Sequence, residues 1–381
     1  MHLVINATEV GRRRGGNETF IAGLIQGLAD VDPSPRVSLL TCQWDSLPDF
    51  PPAFSEVNLG IYRRLPFFIW QQSMALRRLE ADWYLANFFL PTCMPCKGAV
   101  AVHDLSFRAH PEYFPPTIAL YMRWLTAWAV RQAELVVTGS KFSRQELFRF
   151  YSVDEKKVVT IPYGVGSEFG PPGKETDRIA ERETLSRYGI VTPYILALGN
   201  IHPRKNLGRL LDAYLRLQAR WKSAPTMVWV GLERWDSGEL IQRANSAGVT
   251  LTGFVAQEDL PALYREASML VYPSLYEGFG LPILEAMACG TPVITSNTTS
   301  IPEVVGEAGL IVDPMDSQAI AEAMGQLLGD ISLRQHLQQA GLERARQLTW
   351  THTAQRLLAC LSPGAGLAAS TGTPPSGGQG Y

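Results

Sequence analysis

The stretch YILALGNIHPRKNLGRLLDAYLRLQA, residues 194–219, decides the fold class of this 381-residue chain. Five apolar residues are followed by a turn with Gly and Pro and then by leucines at helical spacing, which predicts a buried strand, a turn and an amphipathic helix. The apolar stripe of that helix is predicted to contain Leu207, Leu210, Leu211, Tyr214 and Leu215. The same alternation starts at Leu3–Ile5 and recurs along the chain, so we predict an α/β protein with parallel sheets.

The alternating pattern runs through the chain twice. Between the two runs lies a segment rich in Gly, Pro and charge, residues 166–191, which is typical of an interdomain linker. We therefore predict two βαβ domains facing a cleft, at residues 1–165 and 192–349. A final helix at residues 350–361 is expected to pack back on the first domain. Residues 362–381, rich in Gly, Ala, Ser, Thr and Pro, are expected to form a disordered tail.

The composition excludes several classes of protein. With 46% hydrophobic residues and 33 glycines without a period, the chain is neither disordered nor collagen-like. Its 34 Lys and Arg against 36 Asp and Glu leave a net charge of −2, so no nucleic-acid partner is expected. The N-terminus lacks a signal-peptide pattern, and no uncharged apolar stretch reaches about 18 residues. We therefore expect a cytoplasmic protein.

The cysteines predict neither a disulfide framework nor a metal site. There are five of them, which is few for a chain of this length. Cys93 and Cys96 form a lone C-x-x-C without a second pair or a nearby histidine cluster. Buried or loop thiols are therefore the favoured interpretation.

The segment Glu277-Gly-Phe-Gly-Leu-Pro-Ile-Leu-Glu285 carries the densest pattern of functional residue types. A glycine-containing turn follows the strand predicted at residues 269–272, and Pro282 suits the first turn of the next helix. The N–H groups of such a turn and helix start can bind anionic oxygens. The carboxylates at either end would instead bind sugar or ribose hydroxyls. A plain strand–helix corner, with Glu285 placed near a helix N-terminus for electrostatic reasons, remains the alternative.

Three further groups lie at turns or strand ends. Arg204 and Lys205 precede a helix, where paired cations can hold a diphosphate, although a solvated basic turn has the same pattern. Gly15 and Gly16 would let a phosphate approach backbone amides closely, and a plain turn is the alternative. His103 follows an apolar strand at the end where parallel sheets place ligands, while a lone histidine is often structural.

In their order along the chain, these motifs resemble the family-4 retaining glycosyltransferases. That family has the GT-B fold, two Rossmann-like domains with parallel sheets facing an interdomain cleft, and its E-x7-E signature corresponds to residues 277–285. The resemblance extends from Ile5 to about Leu361. Its other pieces are Gly15-Gly16, Val102–Leu105, Thr138–Ser143, Ile161–Gly164, Pro203–Asn206, Gly253–Val255, Pro273-Ser274 and Ala288–Val293. Within the family, His103–Phe107 together with Pro111–Phe114 is similar to the bacterial O-antigen mannosyltransferases.

The resemblance implies an N-terminal acceptor domain and a C-terminal donor domain. Arg204 and Lys205 are implied to bind the donor pyrophosphate, Glu277 to lie close to the donor sugar, and Glu285 to bind the ribose hydroxyls. The remaining implied donor contacts are Gly15, Gly16, Phe254, Val255, Gly278, Phe279, Gly280 and Leu281. Many relatives have an Arg where this chain has Asn200, so one phosphate contact is either missing or supplied by Arg204.

On the acceptor side, the resemblance implies that His103 contacts the transferred sugar and that Asp104 orients His103. The loop that carries Arg12, Arg13 and Arg14 lies beside the donor diphosphate and the acceptor in this family. These arginines are therefore candidate contacts to an anionic acceptor or a lipid head group, with a solvated charge run as the alternative.

The predicted reaction is the transfer of a hexose from a nucleotide diphosphate sugar to an acceptor hydroxyl, with retention of the anomeric configuration. The narrower resemblance favours mannose from GDP-mannose, followed by UDP-linked hexoses. The expected acceptor is a saccharide or lipid-linked saccharide in cell-surface polysaccharide synthesis. The protein would reach this acceptor through a peripheral contact with the inner face of the cell membrane.

No metal and no cofactor besides the nucleotide sugar is expected. No D-x-D motif stands where a metal-dependent transferase would place one, and cations with helix amides can neutralise the leaving diphosphate. Three alternatives stay open. They are a sugar-nucleotide 2-epimerase on the same fold, a phosphorylase that needs pyridoxal phosphate, and a non-catalytic sugar-nucleotide-binding module.

Overall fold

The computed structural model describes residues 1–12, 15–44, 49–61, 70–173, 175–233 and 237–362, with residues 175–178 described by their backbone alone. The chain divides into two compact units. The first comprises the residues up to Leu105, Thr117–Pro162 and the residues from Trp350 onward, and the second comprises Ser106–Pro116 and Tyr163–Thr349. Of the tail predicted at 362–381, only Ser362 is among the described residues.

The first unit is built on a parallel sheet. Its strands among the described residues are β1 (His2–Asn6), β2 (Arg36–Thr41), β3 (Ser55–Asn58), β4 (Trp83–Asn87), β5 (Lys97–Ala101), β6 (Leu135–Thr138) and β7 (Val158–Thr160). They lie in the order β3-β2-β1-β4-β5-β6-β7, so the order reverses beside β1. Parallel α/β sheets bind ligands beyond the carboxyl ends of their strands at such a reversal. The loops after β1, β4 and β5 lie at that end of this sheet.

The second unit contains a parallel sheet of its own. The described strands are β8 (Tyr194–Leu198), β9 (Thr226–Val230), β10 (Thr250–Gly253), β11 (Met269–Tyr272), β12 (Val293–Ser296) and β13 (Leu310–Val312). Their order is β10-β9-β8-β11-β12-β13, with a reversal beside β8. The predicted α/β class with two parallel sheets is confirmed. The loops after β8 and β11, which carry the predicted donor residues, are neighbours because these two strands pair with each other.

Helices connect the strands of both units. The described α-helices are α1 (Gly16–Ala29), α2 (Gln72–Arg78), α3 (Ser106–Ala109), α4 (Pro116–Gln132), α5 (Lys141–Phe150), α6 (Glu175–Arg187), α7 (Leu207–Arg220), α8 (Gly238–Ser246), α9 (Leu260–Arg265), α10 (Leu281–Ala288), α11 (Ile301–Val305), α12 (Ser317–Gly329), α13 (Ile331–Arg346) and α14 (Trp350–Leu361). None of these helices is long and apolar enough to cross a membrane.

Helix α14 packs on α1 through two glycines. A Cβ atom at Gly23 would lie 2.1 Å from the Trp350 ring, and one at Gly27 would lie 2.2 Å from the Trp350 carbonyl oxygen. Phe20 completes the contact, with its ring centroid 5.9 Å from that of Trp350. Because no larger residue fits at either glycine, the sequence of α1 is adapted to this one partner helix.

The amphipathic pattern of α7 accounts for the core of the second unit. Leu207, Leu210, Leu211 and Tyr214 are buried as predicted. Leu215 was also placed in the stripe, but its side chain is 41% exposed, and Leu217 is buried instead. Leu217 lies three residues after Tyr214 and continues the same buried stripe, which packs against α12, whereas Leu215 lies at the edge of that stripe.

The prediction that residues 166–191 form an interdomain linker is wrong. These residues contain helix α6, which belongs to the second unit and packs on α9. Two ion pairs join the packed elements, Arg187 to Asp259 at 2.9 Å and Arg265 to the buried Glu181 at 2.5 Å. The charged composition that suggested a linker instead supplies the partners that bind this helix in place.

Helix α5 begins at Lys141, and Ser140 caps it by accepting a hydrogen bond from the Ser143 N–H at 3.0 Å. One further expectation needs correction. The first domain was predicted to be continuous to residue 165, whereas Ser106–Pro116 belongs to the second unit. That segment is fixed by aromatic contacts described below.

Candidate functional site

The turn between β8 and α7 is shaped to hold Lys205 against the backbone. Gly199 has φ +130°, and a Cβ atom there would lie 2.8 Å from Cε of Lys205, so glycine leaves room for the lysine stem. A 3-10 turn spans Pro203–Lys205, and His202 caps it by accepting a hydrogen bond from the Arg204 N–H at 3.3 Å. Asn206 then adopts a left-handed conformation with φ 58°. Two consecutive cations are thereby fixed at the start of a long helix.

Lys205 forms a buried ion pair with Glu277. Its Nζ donates to Oε1 of Glu277 at 2.6 Å and also to the Tyr272 hydroxyl, which itself donates to the same carboxylate oxygen at 2.9 Å. Nζ lies 4.5 Å from the centroid of the Tyr272 ring. The lysine, tyrosine and glutamate come from three different loops or strands, so the group exists only in the folded chain.

Arg204 joins the same group from further away. Its Nη1 lies 4.0 Å from Oε2 of Glu277. Burial on its own would raise the pKa of Glu277, but the charges of Lys205 and Arg204 and the lysine hydrogen bond outweigh it and lower the pKa to about 2. Glu277 is therefore ionised at any physiological pH, and two cations surround it.

The loop from Glu277 to Gly280 leads into α10 with its backbone fixed. Gly280 has φ +115° and precedes the first helical residue, Leu281. The Ser300 hydroxyl donates to the carbonyl oxygens of Glu277 and Phe279, at 2.9 and 3.0 Å. Because the first N–H groups of a helix point out of its N-terminal end, the predicted contacts Gly278 and Leu281 lie where an anion can be bound.

No described Lys, Arg or His side chain forms an ion pair with the buried Glu285. Its Oε2 accepts a hydrogen bond from the Tyr264 hydroxyl at 2.7 Å. Burial raises the pKa of Glu285 to about 7, with the Tyr264 hydrogen bond opposing the rise and the charge of Glu168 adding to it. Near neutral pH this carboxyl group therefore exchanges a proton readily and can either donate to or accept from a hydroxyl.

The other predicted donor contacts lie on neighbouring loops of the second unit. Asn200 uses its side-chain oxygen to accept a hydrogen bond from the Leu232 N–H at 3.1 Å, which joins the loops after β8 and β9. Phe254 is 40% exposed at the end of β10, and Val255 is buried. The ring of Phe254 is therefore partly accessible, whereas the side chain of Val255 is not.

In the first unit, Asn87 connects two predicted positions. Its Oδ1 lies 2.9 Å from Nε2 of His103, and its Nδ2 donates to the carbonyl oxygen of Asn17 at 3.2 Å, directly after the Gly15-Gly16 pair. Burial lowers the pKa of His103 to about 4, with the charge of Asp104 acting in the opposite direction. The imidazole is therefore neutral, and Nε2 carries the proton that is donated to Asn87.

Gly15 and Gly16 lie at the start of α1. Gly15 has φ +88°, and no described atom lies within 4 Å of a Cβ placed at Gly15 or Gly16. The guanidinium of Arg12 stacks over the Trp44 ring at 4.8 Å. Arg13 and Arg14 lie outside the described residues.

Sequence patterns did not indicate Tyr272, Tyr264, Asn87 or His202. Tyr272 and Asn87 are the last residues of strands, and polar groups at that position of a parallel sheet are the available signal. Among the described residues, no group of three or more His, Cys, Asp or Glu side chains is arranged to hold a metal ion.

The fold and the cation–carboxylate group are accompanied by clear matches to known proteins. The family model described as Glycosyltransferase Family 4 matches residues 14–169, and the model described as Glycosyl transferases group 1 matches residues 192–330. O-antigen chain mannosyltransferase B of Escherichia coli is 37% identical over 286 residues, which are 74% of this chain and 74% of that relative. Serotype-specific mannosyltransferase WbdA of Escherichia coli is 33% identical over 270 residues; the match covers 68% of this chain but only 33% of WbdA.

Solved structures share the whole architecture. WaaG, a glycosyltransferase involved in lipopolysaccharide biosynthesis, has a TM-score of 0.73 at 15% identity and covers 96% of this chain and 100% of its own. Anabaena Alr3699/HepE in complex with UDP-glucose also has a TM-score of 0.73, at 18% identity, over 95% of this chain and 99% of its own. The two parallel sheets and these matches define a glycosyltransferase of the GT-B fold. The chain belongs to family 4 of the glycosyltransferases, and its relatives within that family include bacterial O-antigen mannosyltransferases.

Proposed function

We propose that this enzyme transfers mannose from GDP-mannose, with retention of the anomeric configuration, to a hydroxyl of a saccharide or lipid-linked saccharide in cell-surface polysaccharide synthesis. The observation that carries the proposal is the group formed by Arg204, Lys205 and Glu277 beside the start of α10. It presents two fixed cations and a row of backbone amides to one small region, which is what a departing diphosphate needs.

The two cations are proposed to stabilise the leaving group. As the bond between the anomeric carbon and the diphosphate oxygen breaks, negative charge grows on the diphosphate, and Arg204 and Lys205 neutralise it together with the amides at Gly278–Leu281. The acceptor oxygen forms the new bond to the anomeric carbon, and the acceptor proton passes to the departing diphosphate oxygen. This arrangement works without a metal ion, and full activity in EDTA is the expected result.

Glu277 is proposed to position the sugar rather than to attack it. Its carboxylate is already bound by Lys205 and Tyr272, and its pKa of about 2 reflects strong stabilisation of the charge by those neighbours. Such a carboxylate is a weak nucleophile but a good acceptor for sugar hydroxyls. His103 keeps its proposed contact to the transferred sugar, with its ring orientation supplied by Asn87.

The donor is proposed from the relatives and is open to direct test. The O-antigen mannosyltransferase relative supports mannose, while the HepE structure contains UDP-glucose. Calorimetric titration with GDP, UDP, ADP and TDP ranks the bases. We expect GDP to bind most tightly, and preferential binding of another base would replace GDP-mannose with the matching nucleotide sugar.

Two substitutions test the site. Lys205→Ala is expected to lower kcat/KM by at least about 100-fold, because removal of a single donor to a developing charge costs this much. Glu285→Ala is also expected to lower kcat/KM, because it removes the proposed contact to the ribose hydroxyls of the donor. Lys222→Ala, at an exposed position after α7, is the matched control and is expected to retain full activity. Near-wild-type rates for both site variants would reject the assignment.

Product analysis separates transfer from its alternatives. With acceptor present, NMR of the product is expected to show a new glycosidic bond with the anomeric configuration of the donor. Conversion of the donor into its C2 epimer without acceptor would instead indicate an epimerase. Tight nucleotide binding without any product would indicate a binding module.

A peripheral membrane contact is proposed for the outer face of α4. Leu120 and Trp124 are one helical turn apart and are 53% and 69% exposed. The helix also carries Arg123 and Arg131 and has no Asp or Glu, a composition that suits a surface of anionic lipid.

Co-sedimentation with vesicles tests this contact. Binding to phosphatidylglycerol vesicles and not to phosphatidylcholine vesicles is expected, with a loss of at least tenfold for the double substitution Leu120→Ser and Trp124→Ser. Ile331→Ser, which changes an exposed apolar residue on α13, is the control. Equal binding of the double variant and the wild type would exclude this face.

A further inference from the structure

A series of contacts between aromatic rings lies beside the cation–carboxylate group, which consists of Arg204, Lys205 and Glu277. The His110 ring lies edge-on to Tyr276, with centroids 5.4 Å apart, and is stacked on Tyr113 at 5.0 Å. Tyr113 in turn meets the His202 ring at 5.7 Å. These contacts run from Tyr276, the residue before Glu277, to His202, two residues before Arg204. All of them lie within the second unit.

His202 is the link between this series of rings and the cations. Its Nδ1 accepts the Arg204 N–H, and the ring also forms a hydrogen bond with the Tyr113 backbone. Burial lowers the pKa of His202, and the charge of Arg204 lowers it further. The ring is therefore neutral, which it must be if Nδ1 is to accept a hydrogen bond. Phe114 adds a further ring contact at 6.1 Å.

The turn that contains Arg204 and Lys205 and the loop that leads to Glu277 are also joined directly to each other. Lys205 pairs with Glu277, and the Leu275 N–H donates to the Arg204 carbonyl oxygen at 2.7 Å. The side-chain link has to loosen when a diphosphate arrives, because the phosphate oxygens compete with Glu277 for Lys205. The contacts between aromatic rings involve no group that binds the diphosphate, so they are unaffected by that exchange.

We propose that the segment Pro111–Phe114, acting through His202, is a positioning element for the diphosphate-binding cations. It holds the backbone of the Arg204–Lys205 turn in place while the lysine changes partner from Glu277 to the diphosphate. The proposal rests on the proposed function, in which the donor diphosphate binds to these cations. A displacement of about 1 Å in such a group costs about 100-fold in rate, so a second support for the turn has a measurable effect.

Two substitutions of His202 separate its hydrogen bond from its ring. His202→Asn keeps an oxygen that can cap the Arg204 N–H, since Asn is a preferred capping residue, while His202→Phe keeps a ring and removes the acceptor. Tyr113→Ala removes the stacked ring, and Tyr113→Phe retains it. His336→Ala, at an exposed position on α13, serves as the matched control.

The readout compares two ligands that differ in one phosphate. Affinities are measured for the nucleoside diphosphate that binds best to the wild type and for its nucleoside monophosphate. For His202→Phe and Tyr113→Ala, we expect the diphosphate to bind about tenfold more weakly and the monophosphate to bind within twofold of wild type. The kcat is expected to fall 10- to 100-fold. His202→Asn and Tyr113→Phe are expected to recover at least half of the lost diphosphate affinity.

The outcomes distinguish this inference from the function on which it rests. If the wild type binds no nucleoside diphosphate, the proposed function fails. If it binds one and both disruptive variants keep the wild-type preference for diphosphate over monophosphate, the positioning role is wrong. An equal loss of both affinities with a lowered Tm would also overturn it, because the segment would then serve only to stabilise the unit.

Discussion

Glu277 and Glu285 lie at the two ends of one nine-residue segment, are each 6% exposed, and behave in opposite ways. Two cations and a tyrosine surround the first, and its pKa falls to about 2. The Tyr264 hydroxyl forms a hydrogen bond with the second, the charge of Glu168 acts on it, and burial raises its pKa to about 7. Burial disfavours the charged form of both carboxyl groups. The charges of Arg204 and Lys205 and the hydrogen bond from Lys205 lower the pKa of Glu277, whereas the charge of Glu168 raises that of Glu285 further.

Two glutamates of one short motif are therefore two different acids. One end is a permanent anion that holds cations in position. The other is a titrating group that can exchange hydrogen-bond roles with a hydroxyl. Substitutions at the two ends of the segment should therefore have opposite effects.

The largest effect is expected for Lys205→Met. The substitution leaves the buried Glu277 with Arg204 as the more distant cation, so the pKa of Glu277 rises and the free energy of unfolding falls by about 3–5 kcal/mol at pH 7, the usual cost of breaking a buried pair. Chemical denaturation measures the change. Lys222→Met is the control, with an expected change within about 0.5 kcal/mol. An unchanged stability of the Lys205 variant would mean that Glu277 does not depend on this cation.

Glu285→Gln is expected to stabilise the protein at alkaline pH. The folded chain holds the Glu285 proton more tightly than the unfolded chain, whose pKa is near 4.5, so wild-type stability is lost as pH rises from about 4.5 to about 7. Because one pKa unit corresponds to about 1.4 kcal/mol, the gain on substitution is on the order of 3 kcal/mol at pH 8.

Below pH 4.5 the gain of the Glu285 variant should disappear. Thermal melts of wild type and variant from pH 4 to pH 9 measure the difference. The same series for Glu277→Gln should show a loss of stability at neutral pH. The reason is that the pKa of Glu277 is lower in the folded chain than in the unfolded chain, the opposite of Glu285. A parallel response of the two variants would contradict the contrast.

The tyrosine partners provide a smaller, matched test. Tyr272→Phe removes a hydrogen bond to an ionised carboxylate and is expected to cost about 2 kcal/mol of stability at pH 6. Tyr264→Phe removes one to a carboxyl group that is largely protonated at that pH, so about 1 kcal/mol is expected. Repeating the denaturation at pH 8.5 should enlarge only the second cost, because Glu285 is then ionised.

The smallest stability effect is expected for Arg204→Gln. Its guanidinium is 4.0 Å from Glu277 and its side chain is 27% exposed, compared with 2.6 Å and 11% for Lys205. About 0.5–1 kcal/mol is therefore expected, as for partly solvated pairs. A loss as large as that of Lys205→Met would show that both cations share the pairing equally.

The fold was predictable from sequence because its signals are local. The strands at Tyr194–Leu198 and Met269–Tyr272 were predicted at their observed limits, since each is a short apolar run bounded by turn residues. Helix α6 was missed for the opposite reason. It has little apolar surface and is bound by ion pairs such as Arg265 with Glu181, which join residues 84 positions apart.

The site was predictable as a set of residues but not as an arrangement. Arg204, Lys205 and Glu277 stand in recognisable turns, yet the contact between Lys205 and Glu277 spans 72 positions. Tyr272 reads as one more apolar residue of a buried strand until β11 is placed beside β8. Asn87 is similar, because only the folded sheet places it between the first helix and His103.

The close packing of Trp350 against Gly23 and Gly27 has a consequence for biosynthesis. A ribosome releases the first unit in pieces, and the helix that covers α1 emerges only after every residue of the second unit. The second unit is therefore fully synthesised before the first, and Phe20 lacks its contact with Trp350 until the end of translation. A stop codon just ahead of Trp350 would yield an intact second unit attached to an unfinished first one, a natural substrate for chaperones and proteases.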